Sequence, residues 1–353
     1  MSCYDLVIMK SRLSFPRKRE LLAHGMFWTG ASSLLSRLPG QNSLLVLNYH
    51  RIGNADEDLF DPGIFSATAE QFNKQITYLK HHFSLVTLEE ALAFIEGTNK
   101  EKARRCRVLI TLDDGYLDNY EIAFPILCSH GVQGVFFLVT SMVGSCQIPW
   151  WDHIAYLMKT ARRRRFSLSY PSDLAVNIDK NGLAESVQAV LQSFKRPTNT
   201  SPERFIRELT AETQGDDPPK TQRRFLNWEE AREMSRAGMA IGSHSHSHHV
   251  LSQLNPEQLF EELSISQTIL KQEIGVQANV LAYPVGSKSS FTDDTQSKLR
   301  ASGYRGAFSH YGGVNLQGVC SLYDIKRNKV FGQSWPRFHV QSAVCGLTGA
   351  YWP

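Results

Sequence analysis

The sequence predicts an α/β protein built around a parallel barrel, and three observations carry that expectation. Short, nearly unbroken apolar runs recur at residues 44–47, 107–112, 135–139, 239–242, 280–283 and 306–309; runs of this length suit strands buried on both faces. Helical patterns separate them. So many strand units in one chain point to a closed barrel rather than a small open sheet.

Each helix has a local reason. Phe72, Ile76 and Leu79 recur at spacings of four and three ahead of the apolar run 83–86, which is the stripe of a helix facing a core. Asn227 is placed to cap a helix with Glu230 at its third position, and Gly238 stops it. Asn255 and Pro256 open another, which runs through Leu259, Leu263 and Ile274 to Gly275. A further helix is expected to begin near Trp150. The alternation breaks from about residue 161 to 222, a polar stretch with Arg162 to Arg165 in a row, Pro197, Pro202 and the sequence Gly215-Asp216-Asp217-Pro218-Pro219. It reads as an insertion with short helices of its own, one over 203–209, and the four arginines as a solvated helix end. The expected division is an N-terminal extension over 1–43, a barrel over 44–330 carrying the insertion, and a C-terminal tail over 331–353.

A chain of 353 residues, 42% hydrophobic and 20% charged, buries a large core and is neither disordered nor a disulfide-stapled miniprotein. Thirty-eight basic against 34 acidic residues leave +4, too little and too spread for a nucleic-acid binder. The six cysteines form no CxxC pair, so reduced thiols and a cytoplasmic setting are expected. Residues 1–10 do not read as a signal peptide, and the stretch 21–38 is too interrupted to span a bilayer. Beside the basic cluster Arg17, Lys18 and Arg19, a peripheral contact with a membrane surface is an open expectation.

The run 107–112 delivers the chain into Asp113, Asp114 and Gly115. Two adjacent carboxylates repel when both are ionised, and a cation held by one of them resolves the conflict. Alone, the pair also reads as ordinary turn chemistry. The run 239–242 ends in Ser243-His244-Ser245-His246-Ser247-His248-His249, where imidazoles and a carboxylate together suit a borderline divalent metal with positions left open. Only His244 and His248 are two imidazoles with three residues between them. Their ligand atoms and that of one of the two carboxylates are then expected within about 5 Å of one another.

Thr111-Leu112-Asp113-Asp114-Gly115, His244-Ser245-His246-Ser247-His248 and Leu281-Ala282-Tyr283-Pro284-Val285-Gly286 resemble, in order and spacing, the first three motifs of the NodB-homology polysaccharide deacetylases, carbohydrate esterase family 4. Leu47-Asn48-Tyr49-His50-Arg51 and Trp150-Trp151-Asp152-His153 look like the branch associated with exopolysaccharide assembly. The resemblance implies a distorted (β/α) barrel and metal-dependent removal of acetyl groups from N-acetylated sugars in a polysaccharide or lipid-linked precursor. It makes Asp113 the general base and Asp114, His244 and His248 the ligands of a divalent ion, with Zn²⁺ the expected one. Tyr283, Pro284, Trp150 and Trp151 are the expected substrate contacts.

The chain departs from that pattern twice. The third-motif arginine that orients the base is replaced by Ala282, which leaves Arg327 or Arg51 to fill the role. The late leucine-x-histidine motif that supplies the acid has no clear match, so His50, at the end of the first strand, is preferred to His339. Alternatives are an amidohydrolase acting on another C–N bond, or a carbohydrate-binding module that has lost turnover.

Overall fold

The computed structural model describes residues 15–36, 42–98, 105–195, 201–219, 223–275, 279–330 and 334–349. Residues 1–14, on which the signal-peptide reading falls, and the side chains of Arg17 and Lys18 lie outside them. Seven parallel strands close a barrel: β1 (Ser43–Tyr49), β2 (Arg107–Leu112), β3 (Gly134–Leu138), β4 (Ala240–Ser243), β5 (Val280–Ala282), β6 (Gly306–Ser309) and β7 (Ile325–Lys329). Each pairs with the next, and β1 pairs with both β2 and β7, which closes the ring. Distortion enters at β4–β5, held by a single register pair, Ser243 with Leu281, and at β1, where the short strand Asn315–Leu316 adds antiparallel beside Ser43 and Leu44.

Alternation sorts the strand residues into two cores. Leu44, Val46, Leu109, Val135, Phe137, Val280, Ala282, Phe308 and Ile325 pack together with Leu88, Leu92 and Ile95 of the helix Leu88–Glu96. Their neighbours Leu45, Leu47, Tyr49, Val108, Ile110, Phe136 and Leu138 pack against outer helices such as Ala69–His82. Gly242 is required inside: a Cβ there would lie 2.6 Å from the Phe137 ring. Further along, the apolar filling gives way to Asn48, Thr111 and Arg327, all buried, and these lead up to Asp113.

The expected helices are present with their caps. Asn227 caps Trp228–Arg236 and Asn255 caps Pro256–Ile274, each in a reciprocal capping box, and Gly275 closes the latter at φ 78°. Within 161–222 the described residues form a hairpin, Arg165–Leu168 with Leu174–Asn177, and the helices Leu183–Lys195 and Pro202–Thr213. With the helix Trp150–Lys159 these share a separate apolar cluster that includes Leu157, Phe166, Val190, Phe205 and Leu209. The four arginines are not a helix end, because Arg165 already begins the hairpin. Arg162, Arg163 and Arg164 pair with Asp216, Glu212 and Asp179.

Residues Trp335–Thr348 form a helix that packs on the N-terminal helices Phe15–Trp28 and Ala31–Leu35. Among the described residues no helix is long and apolar enough to cross a membrane, and the described cysteines 106, 128, 146, 320 and 345 are unbridged.

Candidate metal centre and catalytic cleft

Every residue that the motifs single out for chemistry leaves the barrel at the carboxyl ends of its strands, the end where parallel barrels build their sites. Asp113 and Asp114 follow β2. His244 and His248 follow β4. Their loops are held in conformations that side chains rarely adopt: of five non-glycine residues with positive φ among the described residues, Asp114 (75°), Ser245 (62°), His248 (58°) and Val285 (64°) are on this face. Strain of this kind persists where surrounding structure over-determines it. Gly115 (φ 77°) is needed at the first turn, since a Cβ would meet Leu138 at 2.8 Å.

Ligand atoms of Asp114, His244 and His248 lie within 4.8 Å of one another. The Nε2 atoms of His244 and His248 stand 3.5 and 3.6 Å from Asp114 Oδ1. Atoms about 2.1 Å from a shared tetrahedral ion would be about 3.4 Å apart, so the spacing fits one ion. The donor chemistry fits as well. His244 Nδ1 pairs with the Ala282 carbonyl oxygen at 2.8 Å, which turns Nε2 toward Asp114 and is the usual support of a ligating imidazole. Burial lowers the pKa of both rings and so favours the neutral, ligating form. Burial, and then repulsion from Asp113, pushes the Asp114 carboxyl well up, a cost that a cation relieves.

His246 and His249 turn elsewhere. His246 Nδ1 meets Thr140 Oγ1 at 3.0 Å, and His249 faces Glu262. Glu262, on the helix Pro256–Ile274, was not foreseen. Its carboxylate accepts the backbone N–H groups of His246 and Ser247, both at 2.9 Å, and the Ser247 hydroxyl. It therefore holds the loop that carries the histidine pair.

Asp113 is held by Arg327, not Arg51. The buried Arg327 guanidinium donates to Oδ1 at 2.6 Å and Oδ2 at 2.9 Å, and Asn48 Nδ2 donates to Oδ2 at 2.9 Å. Burial alone would raise the Asp113 carboxyl, but the guanidinium overrides it and keeps the group well below the usual carboxylate range. Arg51 is engaged by Asp118 and Asp58 and stacks on Phe65. The sequence reading placed no strand at 325–329, because Ile325-Lys326-Arg327-Asn328-Lys329 lacks an apolar run.

A cavity of about 250 Å³ opens onto Asp113, Asp114, His244 and His248. His50 lines it with Nε2 4.0 Å from Asp113 Oδ2, and burial pushes its pKa down to about 4. His310, directly after β6, lines it too, 5.4 Å from the His50 ring; its position at a strand end was the available signal. His339 is remote, packed against Tyr78 and Phe27. Trp150 and Trp151 both line the cavity, and the Trp151 ring lies 4.4 Å from His248. Trp151 Nε1 donates to Tyr116 Oη, which donates to Asp152; Arg224 donates to the same carboxylate. This chain ties the base of the insertion to the catalytic turn.

The third-motif residues differ in how they meet the cavity. Tyr283 borders the cavity, but its hydroxyl donates to the Tyr323 carbonyl and its ring stacks on Phe291 at 4.1 Å, so its polar group is spent in the core. Pro284 does not line the cavity; the positive φ of Val285 brings that residue there instead.

Residues 100–307 match the family model described as polysaccharide deacetylase. The poly-beta-1,6-N-acetyl-D-glucosamine N-deacetylase of Staphylococcus epidermidis is 34% identical over 115 residues, 30% of this chain and 39% of that protein. Two solved structures share the fold. The Streptococcus pyogenes deacetylase PplD in complex with acetate aligns with a TM-score of 0.55 at 15% identity, over 85% of this chain and 98% of that one. IcaB from Ammonifex degensii aligns with a TM-score of 0.54 at 21% identity, over 85% and 97%.

Proposed function

This chain belongs to the polysaccharide deacetylase family, and from that premise we propose that it hydrolyses the N-acetyl group of an N-acetylhexosamine in a polysaccharide or a lipid-linked precursor. It is a hydrolase of non-peptide C–N bonds. The observation that carries the reading is a carboxylate outside the ligand triad yet next to it: Asp113 Oδ2 is 3.9 Å from His244 Nε2 and is fixed by Arg327. A site that only binds sugar has no need of an oriented base there.

Asp114, His244 and His248 would hold the ion, with zinc the best match to two imidazoles and a carboxylate. When bound, it supplies Lewis acidity, polarising the acetamide carbonyl and easing deprotonation of an attacking water. Asp113 takes the water's proton at Oδ2, the oxygen nearest His244 and His50. Arg327 keeps that carboxylate ionised and aimed. His50, neutral at rest, relays the proton to the departing amine. The Tyr116 N–H, at a turn pinned by bonds from Leu117 to Arg224 and from Leu226 to Gly115, is assigned to the developing oxyanion. Trp150 and Trp151 border the sugar.

The membrane contact belongs to the same proposal. Leu21, Leu22, Trp28 and Leu34 are exposed on the N-terminal helices, next in sequence to the basic cluster 17–19, a combination suited to an anionic bilayer surface. Co-sedimentation with anionic but not neutral vesicles is expected; binding to neither ends that part of the reading.

The deciding experiment measures acetate released from N-acetylglucosamine oligosaccharides, β-1,6-linked and β-1,4-linked, with and without chelator. Release that chelator abolishes and zinc restores is expected. Release indifferent to chelator removes the metal from the mechanism, and no release from any N-acetylated glycan removes the substrate.

A further inference from the structure

The insertion reaches the cleft at two places. Its helix Leu183–Lys195 adds Gln188, Leu191 and Lys195 to the cavity wall. At its base, in the first turn of the helix Trp150–Lys159, Trp151 lies against a proposed metal ligand. Its ring centre is 4.4 Å from that of His248, nearer than His244 at 4.8 Å or Trp150 at 6.3 Å. The two candidate imidazoles are supported differently. His244 Nδ1 has the Ala282 carbonyl oxygen. His248 Nδ1 is buried and has no hydrogen-bond partner among the described residues. Packing against Trp151 therefore stands where a ligating imidazole usually has a second oxygen.

Trp151 is itself held by a chain of hydrogen bonds whose direction is fixed by chemistry. An indole N–H only donates and an ionised carboxylate only accepts, so the hydroxyl between them must do both. Trp151 Nε1 donates to Tyr116 Oη at 2.7 Å, and Tyr116 Oη donates to Asp152 Oδ2 at 3.0 Å. Arg224 Nη2 donates to the same oxygen at 3.0 Å and supplies the opposite charge. Tyr116 and Asp152 are fully buried, and the Tyr116 ring is stacked on Phe225 at 4.8 Å. Burying a carboxylate and a guanidinium costs free energy that an apolar clamp would not incur. What the ionic anchor adds is direction, since it permits one pose of the indole. Tyr116 also stands two residues past Asp114, so the same chain grips the turn that carries one proposed ligand and the ring that packs on another.

Resting on the assignment of His248 as a metal ligand above, we propose that Trp151 is a positioning residue for the His248 imidazole, and that Asp152, acting through Tyr116, sets the pose of the indole. The anchoring carboxylate acts only at a distance, through two intervening side chains. It keeps the His248 ring turned toward Asp114, 3.6 Å away, so that the ligand set is arranged before an ion arrives.

Chelator competition on the full chain reads zinc affinity without turnover. Tyr116→Phe and Asp152→Asn should each weaken it about tenfold. Trp151→Phe, which keeps an aromatic face but lacks the N–H, should weaken it at least as much. Because these residues act through one chain, adding Tyr116→Phe to Trp151→Phe should bring no further loss. Tyr116→Phe removes a single oxygen and carries the test if Asp152→Asn fails to fold. Thermal unfolding of the chelated proteins separates positioning from structure: variants that lower Tm while zinc affinity stays at the parent value overturn the proposal and leave the chain a clamp for the insertion. So does a double variant whose loss is the product of the single losses, since Trp151 and Tyr116 would then act separately. So does a raised KM for N-acetylglucosamine oligosaccharides at parent zinc affinity, which would make Trp151 a sugar contact alone. A parent chain that binds no zinc sinks the metal reading and this inference together. Zinc binding that the variants weaken, in a protein that releases no acetate, would sink the deacetylase reading and leave this one standing.

Discussion

Arg327 on β7 and Asp113 after β2 form a fully buried bidentate pair across the barrel, at 2.6 and 2.9 Å, with Arg327 also donating to Asn48 Oδ1 at 2.8 Å and to the Ser309 carbonyl at 3.0 Å. The pair closes the top of the apolar interior and fixes the carboxylate proposed as base. Burying both ions costs free energy that is recovered only because their donors and acceptors are satisfied, so the two partners should fail differently when replaced.

Asp113→Asn keeps the shape and removes the base. Turnover should fall by roughly 10²–10⁴, while zinc per chain, read by atomic emission, stays near the parent value. Arg327→Met strands a buried carboxylate and should cost about 3–5 kcal/mol in denaturant unfolding. If the asparagine variant loses its zinc, the carboxylates have been misassigned.

Zinc should stabilise the fold, because the ligand triad relieves the Asp113–Asp114 repulsion only when a cation is present. At a free concentration a hundred times Kd the gain is about 2.7 kcal/mol, visible as a raised Tm relative to chelated protein. The gain should vanish in His244→Ala. An unchanged Tm in the parent protein would count against the site.

Glu262 holds the loop that carries the proposed ligands His244 and His248. Glu262→Gln keeps one oxygen for the two backbone N–H groups but loses the charge and turns the oxygen that faces the Ser247 hydroxyl and His249 into an amide donor, and zinc affinity measured by chelator competition should weaken about 10- to 100-fold, with far-ultraviolet circular dichroism unchanged. Parent-like affinity would reduce Glu262 to ordinary loop packing.

His339 sets a pH dependence far from the cleft. Burial, with His82 adding to it, pushes its pKa down to about 4, against 6.5 in an unfolded chain. Between these values the unfolded chain binds a proton that the folded one refuses, so stability falls as pH drops from 6.5 toward 4, by at most about 3 kcal/mol. His339→Phe should flatten that part of the Tm–pH curve relative to the parent. Parallel curves for the two proteins would mean that other groups carry the acid lability.

The local chemistry of the chain was legible residue by residue. Apolar runs marked six of the seven barrel strands to within a residue or two, because buried parallel strands need apolar side chains on both faces. Capping residues marked the starts of the helices at Asn227 and Asn255, because those donors must be satisfied within a few residues. The carboxylates 113 and 114 and the pair His244 and His248 marked the candidate metal site for a similar reason, with Asp114 picked out by the family resemblance: residues at the carboxyl ends of parallel barrel strands converge on one face. Closure brought together what has no local signature. β7 is polar because Arg327 answers a carboxylate more than 200 residues away, and no window of sequence contains both partners. His310, Glu262 and Lys195 reach the site for the same reason, each placed by the packing of a whole element. Pro284 shows the converse, since a motif position specifies where the backbone passes, while the turn determines that Tyr283 and Val285 on either side of it line the cavity.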